Sequence, residues 1–157
     1  VTVIAGFTNG KEYAIGADSG AFEDGSHLYM TTKTPKAWSV GGTLIGGAGS
    51  FRAIHLAYSS GLDDPYKLLT HLLEQSAPAG WSLLLVTRKA VTEVSDEGGV
   101  TVFRAHYGAI GAGASLAIGY MAGADKFARS ADVVRRAMEI TGTHSLYCVP
   151  PYLYFSK

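Results

Sequence analysis

A chain of 157 residues is long enough for one compact domain with a substantial core, and no Pro- or Ser-rich linker divides residues 1–157. Its 13 basic and 13 acidic residues cancel and lie scattered, which argues against nucleic acid or an anionic membrane surface as a partner. The single cysteine, Cys148, has no internal disulfide partner, no Cys or His pair stands at zinc-ligand spacing, no apolar run approaches the roughly 20 residues of a membrane span, and the first residues lack the basic region of a signal peptide. The expectation is a soluble, cytoplasmic protein.

Apolar runs Val3–Phe7 and Glu12–Asp18 flank Asn9-Gly10, a dipeptide suited to the positive φ angles of a tight turn, and predict an opening β-hairpin. A Gly/Asp/Ser-rich stretch follows. Lys36–Val40 and Thr43–Ala48 around Gly41-Gly42 predict a second hairpin. From Ser50 the period lengthens: Phe51, Ile54, Leu56 and Tyr58 mark one helix, and Tyr66, Leu68, Leu69, Leu72 and Leu73 a second, started by Asp63-Asp64-Pro65. Strands are predicted at Trp81–Val86, Ala90–Val94 and Val100–Phe103. A third helix is predicted over Ala114–Met121, and a fourth from Ser130 as N-cap to Thr141, stopped by Gly142. The tail Ser145–Phe155 reads as β, interrupted by Pro150-Pro151 at an edge or bulge. Strands, helices, strands, helices and a last strand suit an α+β sandwich better than strict βα alternation.

Taken in order, Thr2, the strand ending Gly16-Ala17-Asp18-Ser19, Lys36 before a strand, and Gly46-Gly47-Ala48-Gly49-Ser50 opening a helix resemble the proteasome β-subunit and HslV family of N-terminal-nucleophile hydrolases. Gly108–Gly113 is similar to that family's Gly-Ser-Gly segment, and Ala137–Gly142 to the end of its last major helix. Each motif is short; order and spacing carry the likeness, which suggests a compact bacterial or phage-type member. The resemblance implies a four-layer αββα sandwich, a threonine-type peptidase or amidase without metal or organic cofactor, a homo-oligomeric ring, a peptide or other amide as substrate, and an ATP-dependent unfoldase as a candidate partner.

It also implies roles for four residues. A threonine hydroxyl needs a base at neutral pH, and a free α-amine, with a pKa near 7.7–8.0 in peptides, can supply one. Thr2 is then the nucleophile, Lys36 the fixed positive charge beside it, Asp18 the partner of Lys36, and the Gly49 N–H the oxyanion donor. Read without the resemblance, Asp18-Ser19 is a strand-ending turn, Gly46–Ser50 a packing turn with an N-cap, Thr2 a β-former and Lys36 a surface charge, with Lys33 its competitor. The five histidines share no site by spacing.

Three positions depart from the family pattern. Val1 precedes Thr2, so the amine is free only when Val1 is absent, as it would be if a literally translated GTG start stood for a removed Met. Ala112 stands where the family has a supporting serine, and Thr143, beside His144, where it has an acid; Thr143, His144 and Ser115 are the available substitutes. These departures support an alternative reading, a catalytically silent scaffold or assembly protein on the same fold. A small-molecule amide hydrolase outside any ring is a third.

Overall fold

The computed structural model describes residues 2–23, 26–29, 35–146, 148 and 150–157. Two antiparallel sheets organise these residues. The first has the order β10-β1-β2-β11, formed by Tyr107–Gly111, Val3–Thr8, Tyr13–Asp18 and Tyr152–Ser156. The second runs β5-β6-β7-β8-β9, from Ala37–Val40, Thr43–Gly49, Trp81–Val86, Val91–Ser95 and Gly99–Val102. A separate hairpin pairs β3, Gly20–Glu23, with β4, Ser26–Tyr29.

Strand alternation explains the layers. Along β1, Val3, Ala5 and Phe7 pack with Val134 and Met138, whereas Ile4 turns the other way and packs with Ile15 and Ile110 of its own sheet and with Leu44 and Leu84 of the facing one. Both faces are buried, so β1 reads as a continuous apolar run rather than an alternating one. Helices α3, Ala114–Ala122, and α4, Ser130–His144, cover the outer face of the first sheet; α1, Phe51–Ser60, and α2, Pro65–Glu74, cover that of the second. The result is the expected αββα sandwich, with Leu68 and Leu72 of α2 fully buried against Ile45 and Leu83. Burial of each such leucine contributes about 1.5–3 kcal/mol.

Local chemistry sets the turns. Asn9 Oδ1 accepts from the N–H groups of Lys11 and Glu12, at 2.9 Å each, closing the first hairpin with Gly10 at φ 86°. Asp64 caps α2 by accepting from Lys67 N–H, with Pro65 in the first turn.

The structure adds two elements to the sequence reading and corrects others. Gly20–Glu23 and Ser26–Tyr29 form a hairpin within the Gly/Asp/Ser-rich stretch, where no element was predicted. Tyr107–Gly111 is a strand: its Gly and Ala residues carry little β signal, but its backbone completes the ladder of β1. Ser130 is the first helical residue instead of the cap, which is Arg129; its hydroxyl donates to Glu12 O at 2.9 Å and ties α4 to the first hairpin. Finally, α4 continues through Gly142 to His144, and Pro150-Pro151 lies just ahead of β11.

Candidate active site

Antiparallel pairing brings distant residues to one end of the sandwich. The start of β1, the end of β2 and the end of β10 coincide because Ile4 opposes Ala17 and Val3 opposes Gly111. In the second sheet Ala37 opposes Gly46, so Lys36 and Gly49 emerge from neighbouring strands at the same end. Thr2, Asp18, Lys36 and Gly49 thus come from four elements, and Lys33 lies outside the described residues.

Asp18 is the centre of this arrangement. One carboxylate oxygen, Oδ1, accepts from Val3 N–H at 2.9 Å and from Lys36 Nζ at 3.1 Å. It therefore links the backbone amide next to Thr2 with the lysine of the other sheet. Asp18 is 0% and Lys36 3% exposed, and Thr2 is 8% exposed. Burial lowers the Lys36 pKa from its ordinary value, and the adjacent Asp18 carboxylate partly offsets that shift. Such a pair persists because each charge answers the other; removal of one partner leaves an uncompensated buried charge.

Gly49 reaches its position by strand alternation and a left-handed turn. Gly47 N–H donates to Lys36 O at 2.8 Å, and Ser50 N–H to Gly80 O at 3.0 Å, on the opposite side of β6. The Gly49 N–H, two residues beyond Gly47, projects to the Lys36 side. Its φ of 92° and the Gly80 carbonyl lying where a Cβ would stand require glycine here. Ser50 then caps α1, its hydroxyl accepting from Ala53 N–H.

Gly49 also borders a cleft of about 540 Å³ shared with Gly80, Trp81, Glu93, Glu97 and Gly111. Asp96, on the same wall, accepts from Gly80 N–H at 2.5 Å and Trp81 N–H at 3.3 Å, which secures the start of β7 beside Gly49.

Thr143 is exposed and its hydroxyl donates to Glu139 O at 2.9 Å, back along its own helix; His144, Ser115 and Ala112 are exposed. Two residues behind the Asp18–Lys36 pair carried no sequence signal for the site. Cys148 is buried next to Tyr152, which stands opposite Asp18 across β2 and β11. Nothing short of the strand register could have placed them together. Among the described residues no group of three or more His, Cys, Asp or Glu side chains is arranged to hold a metal ion, and no helix is long and apolar enough to cross a membrane.

No family model and no curated protein matches the chain. Solved structures do. The chain is similar to Thiobacillus denitrificans BPH in complex with epoxomicin, with a TM-score of 0.77 and 18% identity over 99% of this chain and 98% of that one. A second structure of BPH gives 0.76 and 19% over 99% and 97%. HslV from Trypanosoma brucei gives 0.76 and 17% over 99% and 98%. Over nearly its whole length, then, this chain has the proteasome and HslV-like fold of the N-terminal-nucleophile hydrolases.

Proposed function

We propose that this protein is a threonine-type peptidase or amidase in which Thr2 attacks the substrate carbonyl. The observation that carries the reading is the buried Asp18–Lys36 pair, with Asp18 holding the amide immediately after Thr2. That arrangement couples the candidate nucleophile to a fixed cation. It has no evident purpose in a purely structural strand end, where a buried ion pair is weak evidence for stability.

In the proposed reaction the Thr2 α-amine, free when the chain begins at Thr2, takes the hydroxyl proton as the oxygen bonds to the carbonyl carbon. Lys36 favours the developing oxyanion of threonine and the neutral amine by its charge. The Gly49 N–H, projecting toward that side of β6, receives the charge forming on the carbonyl oxygen. Collapse of the tetrahedral intermediate passes the proton to the leaving amine and leaves Thr2 acylated. Water, deprotonated by the same amine, releases the acid and restores the hydroxyl.

The scaffold reading keeps support from Ala112 and Thr143, which place no hydrogen-bonding side chain and no charge where the family pattern has them. Assembly into a ring of identical chains, with an ATP-dependent unfoldase as partner, belongs to the proposal and is checked by native mass spectrometry. Epoxomicin, held by the BPH structure, is the direct probe of the chemistry. Covalent labelling at Thr2 that disappears in Thr2→Ala supports hydrolysis, whereas a chain starting at Thr2 that never labels supports the scaffold.

A further inference from the structure

The Asp18–Lys36 pair sits where strands end, a place normally open to water, yet both groups are almost fully buried. Part of the enclosure comes from the first sheet itself. Tyr152 opposes Asp18 in the β2–β11 register, so the two side chains leave the sheet on one face as nearest neighbours. On that same face, two residues earlier, Gly16 lies under Val134, Met138 and the Tyr154 ring.

The Tyr152 ring has a prepared seat. A Cβ at Gly142 would collide with its hydroxyl and approach its Cζ to 3.1 Å and the Cys148 carbonyl to 3.4 Å. Glycine inside α4 is thus explained by the ring it admits. The Cys148 thiol is buried at the same point and donates to Met138 O at 3.8 Å. Ring, thiol and helix end form one wall.

From this geometry we propose that Tyr152 is a positioning residue that acts through its ring, closing the α4 side of the Asp18–Lys36 pair against water and so keeping Lys36 desolvated beside the nucleophile. The functional importance of this wall rests on the threonine-hydrolase reading; the wall itself does not. Among the described residues, the ionisable groups that act on this cluster are Asp18 and Lys36, Cys148 after α4, and Glu139 on α4. Burial is the largest influence on Lys36 and lowers its pKa. Opening the wall therefore moves Lys36 upward, toward its ordinary value.

The test is the titration of Lys36, followed by the 13Cε resonance of labelled lysine in the full-length protein, for wild type, Tyr152→Phe, Tyr152→Ala and Gly142→Ala. Tyr152→Ala is expected to raise the Lys36 midpoint by about one pH unit, a tenfold change in proton affinity. Tyr152→Phe keeps the ring and leaves the midpoint in place. Gly142→Ala, which displaces the ring without weakening helix propensity, raises it by less and serves if Tyr152→Ala does not fold. An unchanged midpoint in the folded ring-displacing variants overturns the proposal, and so does a Tyr152→Phe shift as large as that of Tyr152→Ala, which would assign the effect to the hydroxyl. Epoxomicin labelling of the same samples separates the two ideas: a wild type that titrates as described but never labels refutes the hydrolase reading alone.

Discussion

Two strand-to-helix junctions frame the candidate site, and they solve one backbone problem with different chemistry. At the end of β6, Gly49 has φ 92° and presses against the Gly80 carbonyl; at the end of β10, Gly111 has φ 91° and presses against the Thr2 carbonyl. Both chains turn sharply there into a helix. The first junction is polar: Ser50 donates its N–H to Gly80 and caps α1 with its hydroxyl. The second is a packing joint, in which Gly113 caps α3 without a side-chain bond and lies against Val3 and Thr141. A shared geometry is thus dressed with polar groups at one junction and with packing at the other, and the proposed function places the oxyanion donor at the polar one. Next to Thr2, Asp18 and Lys36 supply the buried ion pair.

Substitutions at and around the junctions sharpen this contrast. The largest stability effect is expected outside both, at Lys36→Met, which strands the buried Asp18 charge and costs about 3–5 kcal/mol in chemical denaturation while removing activity. Gly49→Ala forces a Cβ into a backbone carbonyl; beyond destabilisation it is expected to lower kcat by about 10²–10³-fold by displacing the oxyanion donor. Gly111→Ala meets equal strain, here against the Thr2 carbonyl, and by displacing the proposed nucleophile it too is expected to lower kcat beyond the destabilisation read from thermal unfolding. If the activity of either glycine variant falls only in step with its loss of stability, that junction's proposed part in the site fails.

Smaller effects follow. Ser50→Ala removes the α1 cap and costs about 1 kcal/mol. Ala112→Ser adds a hydroxyl at an exposed position, so its stability change stays within about 0.5 kcal/mol; faster epoxomicin labelling in this variant would show that the second junction can be given polar function. In pH dependence, Lys36 loses its charge below the ordinary lysine range, because burial lowers its pKa. Hydrolysis should accordingly fall on the alkaline side before about pH 10.4, the unperturbed value. The unfolded chain keeps that proton longer, so unfolding stability rises with pH between the folded and unfolded Lys36 values. Cys148, pushed up to about 12, stays a neutral buried thiol and should resist alkylation until the protein unfolds.

Much of this organisation was legible because the governing signals are local. Asn9-Gly10, Gly41-Gly42 and Asp64-Pro65 announce their turns and cap by residue chemistry alone, and the apolar periods on either side locate β1, β2, β5, β6 and α2. The order of Thr2, Asp18, Lys36 and Gly49 was readable through a family resemblance. Other features depend on tertiary register. β10 is too rich in Gly and Ala to read as a strand until β1 lies beside it. Ser130 has the chemistry of a cap, but a distant carbonyl at Glu12 claims its hydroxyl. Gly142 has the residue type of a helix stop, yet the helix runs through it, and the Tyr152 ring occupies the space a side chain there would need. Tyr152 and Cys148 join Asp18 only when the last strand pairs with β2.

The central claim is that Thr2 is a nucleophile served by its own amine. It is tested most directly by intact-mass and peptide mapping of the protein, produced to begin at Thr2, after incubation with epoxomicin. The account predicts one covalent adduct per chain, located on Thr2 and absent from Thr2→Ala. A correctly folded chain beginning at Thr2 that remains unmodified, or that is modified equally in Thr2→Ala, would contradict it.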